Sequence, residues 1–133
     1  MRLDIIAGLI QTAGLGVMGQ NIFIHRMGAE VVEGILLKLP IDGITTDFDL
    51  PGYYKTTFQV IVRARLQADG DTLAKALTEL LTIYSTDYND PTSGNFALQI
   101  KQMFPAKLPI VYPRSDGQGI EWSLNLYACY VQA

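Results

Sequence analysis

At 133 residues the chain has the length of one ordinary domain and can bury a single core without covalent staples. Hydrophobic residues make up 49% of it and charged residues 17%, against about 25% charged in an average soluble domain, so part of the surface is expected to lie against a partner. A net charge of -3, with ten Lys and Arg scattered along the chain and only Arg63 and Arg65 close together, argues against sequence-specific DNA binding, while a conduit through which DNA slides stays compatible because tight phosphate contacts would hinder sliding.

The apolar stretch from Met1 to Leu15 lacks the basic flank and cleavage site of a signal peptide, and it is shorter than the roughly 20 apolar residues of a membrane span. Within it, Leu3, Ile6, Leu9, Ile10 and Ala13 recur at helical spacing, which predicts an amphipathic helix over Arg2 to Ala13. Gly14, Gly16 and Gly19 then end it and turn the chain. Asn21 to Arg26 and Glu30 to Leu39, separated by Gly28, read as a pair of short strands. Pro40 to Gly52 has no periodicity and reads as a long loop.

Tyr54 to Leu66 carries the clearest strand pattern. Phe58, Val60, Val62, Ala64 and Leu66 face one way and Thr57, Gln59, Ile61, Arg63 and Arg65 the other. Asp69-Gly70-Asp71-Thr72 is expected to open a helix with an Asp or Thr cap, followed by a stripe of Leu73, Ala76, Leu77, Leu80, Leu81 and Tyr84. Asp87 to Asn95 reads as a loop, and Phe96 to Phe104 and Leu108 to Tyr112 as strands that Pro105, Pro109 and Pro113 keep short or at an edge. Arg114-Ser115-Asp116-Gly117 reads as a turn, and Ile120 to Gln132 as a long strand with Ile120, Trp122, Leu124, Leu126, Ala128 and Tyr130 on one face. The order α, β, β, β, α, β, β, β with hairpin-length links predicts an α+β fold: a mainly antiparallel sheet with an N-terminal and a central amphipathic helix on one face. Residues 1–133 are expected to form one domain, with an N-terminal helix and glycine hinge over 1–19 and the α+β core over 20–132.

Few residue types here suit catalysis. Cys129 is the single cysteine, so no intrachain disulfide can form; inside its apolar run it reads as a buried, inert thiol suited to a reducing cytoplasm. His25 is the single histidine, and Ser85, Ser93, Ser115 and Ser123 lack a nucleophile-elbow context, so a surface or sheet-edge histidine is the reading we adopt. Asp42, Asp47 and Asp49 lack calcium-loop spacing and its closing glutamate and read as loop solvation. Gly14-Leu15-Gly16-Val17-Met18-Gly19 matches the dinucleotide fingerprint, but that motif requires a strand before it and a helix after it, and the pattern here is the reverse. No catalytic, cofactor-binding or metal residue is assigned. The loop ending in Asp47-Phe48-Asp49-Leu50-Pro51-Gly52-Tyr53-Tyr54 places aromatics where proteins meet proteins, though the same rings could fold back onto their own core. Phe48, Leu50, Pro51, Tyr53 and Tyr54 are the candidate interaction residues.

Pro51-Gly52-Tyr53-Tyr54, then Phe58-Gln59-Val60-Ile61-Val62-Arg63-Ala64, then the helix from Asp71 to Tyr84 resemble the phage tail-terminator or minor capsid (head–tail joining) family. Asn21-Ile22-Phe23 and Gly119 through Tyr130 extend that resemblance over about Gln20 to Val131, while Gly14 to Gly19 stand outside it. The resemblance implies a virion protein made in the host cytoplasm and placed at the head-proximal end of the tail. It implies a ring, usually of six copies, that caps the tail tube, stops its polymerisation and meets the head-completion or connector proteins. Its implied partners are its own copies, the tail tube protein and the connector, with DNA only as passing cargo, no cofactor and no membrane. The alternatives are a non-viral α+β protein-binding module and a small nucleotide-binding protein using Gly14 to Gly19.

Overall fold

The computed structural model describes residues 1–114 and 119–133. Among them lie two helices, α1 (Leu3–Thr12) and α2 (Gln67–Leu80). The strands are β1 (Ile22–Ile24), β2 (Gly34–Lys38), β3 (Tyr53–Ala64), β4 (Ile83–Asn89), β5 (Phe96–Pro105), β6 (Ile110–Pro113) and β7 (Ile120–Gln132). The turn expected over Arg114 to Gly117 falls, beyond Arg114, outside the described residues. One sheet runs β1-β2-β3-β7-β5-β4, and β6 pairs with β7 beyond the end of β5. This is the α+β architecture that the patterning predicts.

β3 and β7 form the centre, antiparallel from Tyr53↔Val131 to Ala64↔Ile120. Their period-two alternation sends Phe58, Val60, Val62 and Ala64, with Trp122, Leu124, Leu126, Ala128 and Tyr130, to one buried face. Ile6 and Ile10 of α1 and Ala74 and Leu77 of α2 close over that face and join the same cluster. Ala13, expected on the α1 stripe, lies exposed just past the helix end. Leu66, expected on the inward face of β3, is exposed because the strand stops at Ala64.

α2 starts two residues before Asp69 and has no side-chain cap at Leu66. The expected cap is absent because the helix begins at Gln67, which places Asp69, Asp71 and Thr72 inside its first turns. Asp71 accepts a 2.8 Å hydrogen bond from Trp122 Nε1, and Thr72 Oγ1 donates to the Ala68 carbonyl at 2.9 Å. Tyr84 is not on the helix at all; it stands exposed on β4, a strand the residue pattern did not disclose. Among the described residues β4 pairs on one side only, with β5, and only Ile83 in it is buried. An edge strand with so little apolar surface has no alternation to read.

The expected strand pair 21–26 and 30–39 does pair, but in parallel, with Ile22 beside Ile35 and Ile24 beside Leu37. Parallel neighbours usually need a connection of about a dozen residues or more. Here residues 25–33 make the crossover without a helix. His25 begins it in the left-handed region, at φ 68°, with its N–H donating to Leu37 O. Two guanidinium groups hold it down: Arg63 donates to the carbonyls of Gly28 (2.7 Å) and Val31 (3.2 Å), and Arg114 to those of Ala29 (2.7 Å) and Val31 (3.0 Å). Arg63 also pairs with Glu121 at 2.7 Å, with both side chains largely buried.

Candidate interaction surfaces

The sheet face away from the helices is covered at its Arg63 end by the 25–33 crossover, and among the described residues no helix lies over the rest of it. Thr57, Gln59 and Ile61 of β3 lie beside Tyr127, Asn125 and Ser123 of β7, and Gln102 and Phe104 of β5 lie beside Cys129 and Tyr127. Gln59 Nε2 donates to Ser123 Oγ at 2.6 Å, and Asn125 Nδ2 to the same oxygen at 3.3 Å. The rings of Phe104 and Tyr127 meet at 5.5 Å between centroids. A hollow of about 550 Å³ opens there between Lys55, Gln102, Phe104, Tyr127 and Cys129. Cys129 is thus half-buried on the open face, not buried in the core as its apolar run implied: alternation in β7 gives the core to Ala128 and Tyr130. A second hollow of about 530 Å³ lies between His25, Lys38, Pro40, Thr57, Gln59 and Asn125. His25 is exposed, as a surface or sheet-edge residue should be.

The loop between β2 and β3 borders this face. Asp47 shapes it: the Asp49 N–H donates to Asp47 Oδ1 at 2.9 Å and the Leu50 N–H to Asp47 O at 3.3 Å. Gly52, at φ 82°, takes the left-handed conformation that ends the turn, and its carbonyl accepts from the Gln132 N–H at 2.9 Å. The loop is therefore tied to the end of β7. Phe48 is 96% exposed and Leu50 50%, and Pro51 is exposed too. Tyr53 and Tyr54 are half-buried. Tyr54 packs against Tyr130 at 5.3 Å between ring centroids, and burial, with Tyr54 close by, pushes the Tyr130 hydroxyl up to about 12. The two alternatives raised for the loop aromatics therefore divide among them: Phe48 points into solvent, while Tyr54 rests on the core.

Sequence patterning missed a third surface. β6 and the segment before it expose Leu108, Ile110, Val111 and Tyr112. Val111 and Leu108 line a groove of about 380 Å³ against α2. The signal was present in the sequence as an apolar run between prolines; what it lacked was any indication that both faces of so short a strand stay open.

The glycine segment 14–19 follows a helix and precedes a strand, the reverse of a dinucleotide turn. Gly14 and Gly19 have positive φ, and the Val17 carbonyl accepts from the N–H groups of Gln20, Asn21 and Ile22 as the chain reverses. A side chain on Gly16 would meet Ile22 Cγ1 at 2.8 Å. Among the described residues no group of three or more His, Cys, Asp or Glu could hold a metal ion, and no helix is long and apolar enough to cross a membrane.

These features define an α+β domain with a largely open sheet face, an exposed aliphatic strand and a solvent-facing apolar loop. The chain belongs to the bacteriophage tail terminator protein family, whose model matches residues 9–132. No curated protein matches it. It is a structural protein of the phage tail and a component of the virion. That membership favours the tail reading over a non-viral binding module.

Proposed function

We propose that this subunit assembles with copies of itself into a ring, of six copies by the usual pattern, at the head-proximal end of the tail tube. There it stops tube polymerisation and presents a surface to the head-completion or connector proteins, with DNA passing through the opening. Phe48, Leu50, Pro51 and Tyr53, with Tyr54 as their support on the core, form the contact site for a neighbouring copy or for the tube protein.

The observation that carries this reading is the exposure of Phe48 and Leu50 on a loop braced by Asp47 within it and by Gln132 at its exit. Anchored apolar side chains held in solvent lose little entropy when a partner covers them. The net charge of -3 accords with a passage that does not grip phosphate. The test is to mix purified protein with tail tubes that lack a terminator and to image them. Tube ends should carry a ring and tubes should stop lengthening when tube subunits are added. Bare ends and continued growth would refute the proposal.

A further inference from the structure

Three of the chain's six prolines, Pro105, Pro109 and Pro113, follow one another closely along one edge of the sheet. β5 and then β6 run beside β7, and β4 covers the outer side of β5 only from Phe96 to Met103. Beyond Met103 no strand among the described residues pairs with that outer side.

The ladder with β7 fixes which backbone groups point outward there. The Ala106 N–H donates to Asn125 O at 2.8 Å, and the Arg114 N–H to Gly119 O at 3.3 Å. In an antiparallel ladder, residues bonded to the opposite strand alternate with residues whose backbone groups turn away from it. Pro105, opposite Leu126, adjoins the first of these bonds, and Pro113, opposite Ile120, adjoins the second. Counting back from Arg114, Tyr112 and Ile110 turn their backbone groups to β7, while Pro113 and Val111 turn theirs outward. Pro109 continues the outward series one residue before β6. Proline has no N–H to donate. Of the outward positions 109, 111 and 113, only Val111 therefore offers one.

A proline on a paired strand must sit at an outward position, because an inward one would break the ladder. That rule does not explain why prolines flank this strand on both sides. Ile110, Val111 and Tyr112 between them are exposed, and β-branched and aromatic residues on an unpaired edge are the composition that recruits a further strand. The outer edges of β1 and β4 are blunted in other ways. β1 has three residues, and β4 carries Ser85 at φ 46°, where its pairing with β5 skips from Tyr84 to Thr86.

We infer that Pro109 and Pro113, with Pro105 at the end of β5, guard this edge. They close it to strand addition by another copy while the side chains of Ile110, Val111 and Tyr112 stay exposed. The guard goes beyond the ring reading and does not rest on it. Pro109→Thr with Pro113→Thr in the full chain tests it, since the change restores two outward N–H groups and removes none that β7 uses. The variant should keep the wild-type urea midpoint. In sedimentation, the concentration at which assemblies larger than any wild-type species appear should fall about tenfold or more, as two regained backbone hydrogen bonds imply. The Val111 amide should gain protection from hydrogen exchange in those assemblies. Adding Val111→Pro should return the variant to wild-type sedimentation, because it removes the central outward donor at no cost to the ladder. Sedimentation like that of the wild type at every concentration would overturn the guard. So would extra assembly that Val111→Pro leaves in place, since the exposed side chains would then be adhesive by themselves. If the double change lowers the urea midpoint, Pro109→Thr alone, which lies outside both strands, is put through the same comparison and the same outcomes decide.

Discussion

Gly70 lies directly under the indole of Trp122, so close that a Cβ at that position would overlap Cη2, Cζ3 and Cζ2 of the ring. The ring is buried and its Nε1 donates to Asp71 one residue further along α2. Helix and sheet are therefore locked by one residue without a side chain and by the next with a carboxylate. Alanine normally gains about 1 kcal/mol over glycine inside a helix. Here the overlap is with a fully buried ring that has nowhere to retreat, and overpacking of that kind costs about 1–3 kcal/mol. Gly70→Ala should therefore lower the urea midpoint, and the emission of the only tryptophan should shift with it. An unchanged or higher midpoint would mean that the helix simply slides aside.

Arg63 holds Glu121 and two carbonyls of the β1–β2 crossover at once. Replacing it with Met keeps the stem and removes the fork, leaving Glu121 a largely buried carboxylate without its cation. The expected loss is about 3 kcal/mol. Limited proteolysis should then cut first within residues 25–33. Lys cannot restore the two-sided grip, since it lacks the planar fork, so Arg63→Lys should recover only part of the loss. Full recovery by Lys would reduce the role of Arg63 to charge alone.

Asp90 closes the β4–β5 turn and ties it to the N-terminus. Its carboxylate accepts from the N–H groups of Ser93 (2.9 Å) and Thr92 (2.8 Å) and from Arg2 (2.9 Å). These bonds, the Ser93 N–H foremost, hold its carboxyl at about 2, below the ordinary 3.8. A depressed acid binds fewer protons folded than unfolded. Its stabilisation is thus fully present above 3.8 and disappears as pH falls toward about 2. The midpoint of urea unfolding should decline through that window in the wild type. Asp90→Asn should remove that part of the decline while lowering stability at neutral pH; identical acid limbs would count against the assignment.

Phe48→Ala with Leu50→Ala should leave the monomer close to its wild-type melting temperature, because neither side chain is buried in it. Assembly and tail capping should fail, as interface anchors cost about 2 kcal/mol or more on truncation. Tyr54→Ala should behave differently. Its ring supports Tyr130, so the monomer should lose about 3 kcal/mol in thermal or urea unfolding. Light scattering beside calorimetry distinguishes the two. If the Phe48 and Leu50 changes destabilise the monomer, or if the doubly changed protein still assembles, the loop is not the contact site.

The sequence alone determined the centre of this protein. β3 and β7 were legible because each buries one face, and a half-buried strand must write that fact as strict alternation, from Phe58 to Ala64 and from Trp122 to Tyr130. α1 and α2 were legible for the same reason at helical spacing, and the exposed Phe48 and Leu50 were already singled out by a long loop that ends in aromatics. What the sequence did not contain was decided by partners far along the chain. The parallel run of β1 and β2 depends on Arg63 and Arg114 reaching the crossover carbonyls from other parts of the sheet. Asp71 lies inside α2, where it meets Trp122, because the helix begins earlier than its acidic residues suggest, and Cys129 went to the open face because its neighbours claimed the core. β4 and the open edge of β6 stayed hidden because edge strands gain little from burial and so leave little periodic trace. Periodicity records which face of an element is buried; only the tertiary structure decides what stands opposite that face, and which surfaces remain for another copy to cover.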